Sequence, residues 1–225
     1  MEKKYSYSKL NLFNHCQKKY QLTYIDRIQK SDESIESYVG KRLHEILEWI
    51  YQNKIGKNKK YFSLDDITDK YKELWKYQWH NHIKVSKFSK LKESDYYMHS
   101  IKALCDYYRK FGPYFDQNTI NVEYEINFQI GEYTFKGIID RIDKEEQSEI
   151  NIIDYKTSKK IISEKKLKTD IQMGIYYLGL SKLLNKDYQY NLSHYYLRTG
   201  DLVSISGKEI TKNSLKNQII QNVEL

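Results

Sequence analysis

Apolar positions recur at helical spacing through the first half of the chain. In residues 8–25, Leu12, Cys16, Tyr20 and Tyr24 fall every fourth residue behind Ser8, a residue type that caps helices, and this predicts one continuous helix. In residues 36–53, Leu43, Ile46, Leu47 and Ile50 lie at i, i+3, i+4 and i+7 and predict a second helix with one apolar stripe. Residues 64–81 and 89–112 predict two more, the latter stopped by Gly112-Pro113. The pattern then changes to period two. Residues 121–130 (NVEYEINFQI) alternate as a strand does, Gly131-Glu132 turns the chain, and 133–143 and 149–157 read as two further strands joined by the polar turn Lys144 to Ser148. Helical spacing returns over 164–184 through Leu167, Ile171, Ile175 and Leu178. Two closing strands follow, 188–198 and 201–206, around Thr199-Gly200, then a short helix from about residue 209. This order predicts an α/β fold with a mixed sheet, in a single domain over 1–225 with a helical insertion at about 55–118.

Composition sharpens this in three places. Among 225 residues there is one proline, Pro113, which favours long helices. The net charge of +8 favours a polyanionic partner, and the basic loop Lys54 to Tyr61 and the lysines around 159–168 are the candidates to meet it. The two cysteines, Cys16 and Cys105, match no CxxC spacing, which argues against structural zinc and fits a reducing compartment. No apolar run approaches the ~20 residues needed to span a bilayer, and Met1 to Tyr7 do not resemble a signal peptide, so the expected location is cytoplasmic or nuclear, with no membrane partner.

The chemistry concentrates on two neighbouring strands. In EINIIDYKT, Ile150, Ile152, Asp154 and Lys156 share a face by the period-two rule; in the preceding strand Ile138, Asp140 and Ile142 do the same. A hairpin between them brings Asp140 towards Asp154. Paired carboxylates repel unless a cation lies between them, and hard divalent cations favour such oxygen ligands. A lysine alongside can stabilise charge developing on a phosphate. D-x-K is common in surface strands, where it forms no more than a salt bridge, but here isoleucines flank both aspartates, and a charge inside an apolar strand is costly unless compensated.

The two strands, GIIDRID and IIDYKT, resemble the signature of the RecB-like branch of the PD-(D/E)XK nuclease superfamily. Three further segments are similar to that branch in the same order: GKRLHEILE (40–48) to its histidine helix, VEYEI (122–126) to its acidic strand and QMGIYYL (172–178) to its Q-x-x-x-Y helix. The resemblance implies a restriction-endonuclease-like mixed β-sheet flanked by helices, with an N-terminal helical region. It implies Mg²⁺ or Mn²⁺ as cofactor and DNA as substrate. Carried over residue by residue, His44, Asp140, Asp154 and the backbone carbonyl of Tyr155 become metal ligands and Lys156 the catalytic lysine. Gln172 and Tyr176 line the site and contact DNA, and Glu123, in competition with Glu125, becomes a supporting acid. His15, His80, His82, His99 and His194 receive no role.

The N-terminal segment SYSKLNLFNHCQKKYQLTYI also resembles the family opening, in which some relatives use the first cysteine for a [4Fe–4S] cluster. No cysteine follows Cys105, so no iron–sulfur cluster is expected and Cys16 reads as a packed thiol. The implied function is a metal-dependent DNA nuclease, an exonuclease of repair, recombination or defence. The alternatives are a non-catalytic DNA-binding module and a nuclease-like subunit of a helicase complex. No Walker A motif is present to drive unwinding from this chain itself.

Overall fold

The computed structural model describes residues 4–28, 32–55, 60–145, 148–184 and 187–224. A two-residue strand, β1 (Lys4–Tyr5), opens it, followed by α1 (Tyr7–His15), α2 (Gln17–Tyr20) and a wide helical turn over Gln21–Ile25. The single helix expected over 8–25 is therefore broken. Cys16 is the break: its backbone is extended at φ −163°, and its Sγ accepts a hydrogen bond from the Lys19 N–H at 3.4 Å, capping α2. The thiol is exposed, so the expectation of a packed thiol is corrected too.

Next come β2 (Glu33–Ser34), α3 (Ile35–Gln52), α4 (Leu64–Gln78), β3 (Ile83–Lys84) and α5 (Glu93–Phe111). Ser34 caps α3 by accepting from the Ser37 N–H, and Ser63 and Asp66 cap α4 reciprocally. These helices enclose one core: Ile46, Leu47, Tyr51 and Tyr71 pack there with Ile153, Tyr155 and Tyr195 from one face of the sheet. The basic loop Lys54 to Tyr61 falls partly outside the described residues, since 56–59 are not among them.

The remaining elements are β4 (Thr119–Ile130), β5 (Tyr133–Lys144), β6 (Glu149–Lys156), α6 (Glu164–Leu167), α7 (Ile171–Leu184), β7 (Gln189–Tyr196), β8 (Asp201–Ser206) and α8 (Lys212–Glu224). Helical spacing over 164–184 resolves into two helices because the Asp170 carboxylate accepts the Met173 N–H at 2.9 Å and starts α7 afresh. The expected short closing helix is 13 residues long. Met173 to Leu180 are buried throughout, and α7 packs with α8 over the other face of the sheet.

The sheet is mixed. β4 pairs antiparallel with β5, β6 runs parallel to β7, and β8 returns antiparallel to β7. β5 divides its free edge between two partners. Arg141 to Lys144 pair with β6, whereas Thr134 and Phe135 pair with β1. β5 thus leaves β6 at Asp140. The alternation expected for Ile138, Asp140 and Ile142 fails there: Ile138 is 45% exposed, while Ile139 and Ile142 both enter the α7-side core. The change of partner turns the strand, and side chains exchange faces. No helix among the described residues is long and apolar enough to cross a membrane.

Candidate metal and phosphate site

The parting of β5 from β6 leaves backbone groups of β6 without a strand partner, and side chains take them. The Tyr155 N–H donates to Asp140 Oδ2 at 2.7 Å, and the Tyr155 carbonyl lies 3.1 Å from His44 Nε2. His44 projects from the middle of α3, and its Nδ1 is 3.4 Å from Asp140 Oδ2. Glu123 completes the group: one ligand atom from each of His44, Glu123 and Asp140 lies within 4.8 Å of the others. The register of β4 on β5 runs from Val122↔Arg141 to Tyr124↔Ile139, which sets Glu123 across from Asp140. Glu123 reaches this position with φ +44°, a left-handed conformation that disfavours any residue with a Cβ. Glu125, its competitor in sequence, is not part of the group.

The electrostatics describe a site with surplus negative charge. Burial and then Asp140 push the Glu123 carboxyl up to about 7. Burial, then Asp140, pushes Asp154 up as well, with Lys156 opposing. Burial alone would lower His44, but Asp140 outweighs it and raises the imidazole to about 9. The doubly protonated ring, one N–H towards Asp140 and one towards the Tyr155 carbonyl, supplies positive charge where a cation could stand. Imidazole, two carboxylates and a carbonyl form a donor set that suits a divalent ion. The Tyr155 ring points away and packs in the α3-side core.

Asp154 and Lys156 stand beside this group. Lys156 Nζ is 2.7 Å from Asp154 Oδ2 and donates at 2.7 Å to Gln172 Oε1. Gln172 in turn donates through Nε2 to the Tyr176 hydroxyl at 2.9 Å. Burial would lower the lysine, but Asp154 raises it, so the ammonium stays charged. Gly137 helps Tyr176 fit: a Cβ there would lie 3.0 Å from Tyr176 Cε1, so any side chain would press on the ring.

Two features escaped the sequence. His194, given no role there, pairs in register with Asp154; it is buried, and its Nε2 is 4.0 Å from Asp154 Oδ2. Burial, then Lys156, lowers it to about 3, so it is neutral. Arg141 of the motif is also buried. It donates to the hydroxyls of Tyr107 and Tyr155 at 2.8 and 2.9 Å and pairs with Asp143 at 2.9 Å, bracing β5 from behind. The Arg141–Asp143 pair follows from the two-residue spacing in β5, but the contacts of Arg141 with Tyr107 and of His194 with Asp154 join residues 34 and 40 positions apart, which no local period signals.

A mixed sheet flanked by helices, with Asp140, Asp154, Lys156 and His44 brought to one strand junction, is consistent with a nuclease fold. The PD-(D/E)XK nuclease superfamily model matches residues 4–223, and the chain belongs to that superfamily. Among solved structures, a provisionally assigned exonuclease from Eubacterium rectale is similar over 96% of this chain and 76% of its own, with 12% identity and a TM-score of 0.51. That likeness concerns the fold. A second structure, SSO0001, aligns over 83% of each chain at 15% identity, with a TM-score of 0.36 that is too low to bear on the fold. No curated protein matches the sequence.

Proposed function

We propose that this chain is a Mg²⁺- or Mn²⁺-dependent DNA nuclease of the RecB-like branch, acting as an exonuclease in repair, recombination or defence. The observation that carries the reading is the convergence of His44, Glu123 and Asp140 beside the Asp154–Lys156 pair, where β5 parts from β6. His44, Glu123, Asp140, Asp154 and the Tyr155 carbonyl would hold the cation, which when bound supplies Lewis-acid charge to a phosphodiester.

The chain's own residues do the rest. Lys156 presents an ammonium to the scissile phosphate and stabilises the negative charge that builds on its oxygens. Gln172 holds that ammonium, and Tyr176 fixes Gln172, so the lysine is aimed before substrate arrives. Arg141 keeps the β5 side of the site rigid from its buried tyrosine cluster. A non-catalytic DNA-binding module would not need both a charged lysine and surplus carboxylates in one place. A helicase partner belongs to the same proposal through the branch, as the source of unwound strands, and the 55–118 segment is proposed as a helical insertion within a single domain.

The test is cleavage of end-labelled linear and circular DNA, single- and double-stranded, with Mg²⁺, Mn²⁺ or EDTA. Metal-dependent shortening of linear DNA with circles left intact supports an exonuclease. Degradation of RNA alone, or no hydrolysis with any metal, overturns the proposal.

A further inference from the structure

The C-terminal ends of the parallel strands β6 and β7 open onto a cavity that the catalytic group does not use. Open α/β sheets bind ligands at the C-terminal ends of their parallel strands. Here Thr157 follows Lys156 directly, and the Leu197 N–H donates to the Lys156 carbonyl at 2.9 Å, so Arg198 emerges next to the end of β6. Glu36 and Leu43 of α3 and His99 of α5 form the other walls. Leu43 precedes His44 and Thr157 follows Lys156, so on both α3 and β6 the cavity is one residue along the chain from the metal and lysine group.

Arg198 has donors to spare. Arg42, Arg109 and Arg141 each pair with a carboxylate. Among the described residues Arg198 meets no carboxylate within 4.0 Å; its Nη2 makes a contact of 3.4 Å with His99 Nδ1. A guanidinium carries five N–H donors in a planar fork suited to phosphate. The Thr157 hydroxyl lies on the same wall, 3.7 Å from where a Cβ on Gly40 would stand. Glu36 is the opposing charge, but it is exposed and its Oε1 accepts from the Tyr96 hydroxyl at 2.6 Å. The volume open to water centres is about 50 Å³. That exceeds the ~10–15 Å³ a cavity needs to hold one water, so the space can admit the oxygens of a small polar group such as a phosphoryl.

We infer that Arg198, with His99 and Thr157, forms a phosphate subsite for the nucleic-acid strand next to the scissile bond. The inference rests on the nuclease reading for its substrate class. The ligand is a phosphate either within the strand or at its terminus. Glu36, exposed on the cavity wall, opposes the binding of any anion there.

The test is fluorescence-anisotropy binding in Ca²⁺ across a salt series, with wild type, Arg198→Ala, Arg198→Lys and Glu36→Gln. The ligands are a circular single strand and linear strands with and without a terminal phosphate. Thermal unfolding checks that each variant is folded. Arg198→Ala should lose about tenfold or more in affinity, as expected for one charge-assisted contact, and its log–log salt slope should be shallower by about one. Arg198→Lys should recover part of the loss, and Glu36→Gln should bind more tightly than wild type. Loss on circular and linear strands alike identifies an internal phosphate; loss confined to the end-phosphorylated strand identifies a terminal one. A folded Arg198→Ala with wild-type affinity and salt slope overturns the subsite even where the wild type cleaves. Should Arg198→Ala fail to fold, an unchanged affinity in Glu36→Gln overturns it instead. A wild type that binds DNA without cleaving it removes the nuclease reading and leaves the subsite standing on its binding data.

Discussion

Raising the pH should tighten divalent-cation binding, by an amount that the site itself sets. His44 sits at about 9 because Asp140 outweighs its burial. A cation that takes one of its ring nitrogens must displace a proton. At pH 7 the protonated ring exceeds the neutral one about 100-fold, so proton competition holds the apparent affinity about 100-fold, or ~2.7 kcal/mol, below its limit. Glu123, pushed up to about 7 by burial and Asp140, is half protonated there and adds a further factor of about two, and Asp154, raised by the same causes, adds to the competition in the same direction. Protons compete with the metal, so the sign is fixed: affinity rises with pH. The rise is about tenfold per unit between pH 7 and 9, steeper below 7 where Glu123 also releases a proton, and flat above about 9. Titration calorimetry with Mg²⁺ in buffers of different ionisation enthalpy measures both quantities, and at pH 8 it should count about one proton released per ion bound. His44→Ala should remove the proton release centred near pH 9, and the slope left to Glu123 should move upward in pH because the imidazolium no longer lowers that carboxyl. A dissociation constant independent of pH, with no proton release, would refute the assignment of His44 as a ligand.

Three other perturbations separate the parts of the site. Lys156→Ala should slow single-turnover cleavage by ~10²-fold or more, the scale of one electrostatic stabiliser, while Ca²⁺-supported DNA binding changes little; parallel losses in both would make it a binding residue instead. Arg141→Leu leaves Asp143 buried without its cation and should destabilise the fold by about 3–5 kcal/mol in urea unfolding; a change below 1 kcal/mol would show that the buried pair matters little. Gly137→Ala pushes a methyl group against the Tyr176 ring and should cost about 1–3 kcal/mol together with cleavage rate. Combining it with Tyr176→Ala, which removes the clash but leaves a cavity, should cost less than the two single losses summed; fully additive losses would show that the two side chains do not meet.

The α/β order was legible from periodicity, since 36–53, 64–81, 121–130 and 133–143 each lie close to an observed element. What failed did so for local reasons that no period records. Cys16 adopts an extended backbone and caps the next helix, and Asp170 does the same for α7, so two expected helices are each split. β1 is two residues long, too short to show alternation, yet it takes the edge of β5 at Thr134 and Phe135 beyond the point where β5 leaves β6. The residues of the candidate site were readable as types at family spacing. Their arrangement was not: Glu123 joins His44 and Asp140 through a left-handed backbone, whereas Asp154 Oδ2 pairs with Lys156 beside them. His194 and Arg198 carried no pattern at all, because their meaning comes from which strand end or carboxylate the fold sets beside them.

The most direct test of the nuclease assignment compares wild type with Asp140→Ala on the same end-labelled linear DNA, purified in parallel, with Mn²⁺ and with EDTA. Cleavage by the wild type in Mn²⁺, its disappearance in EDTA, and its loss in a folded Asp140→Ala that still binds DNA in Ca²⁺ is the result expected. Equal cleavage by the two proteins, or wild-type cleavage that persists in EDTA, would contradict it.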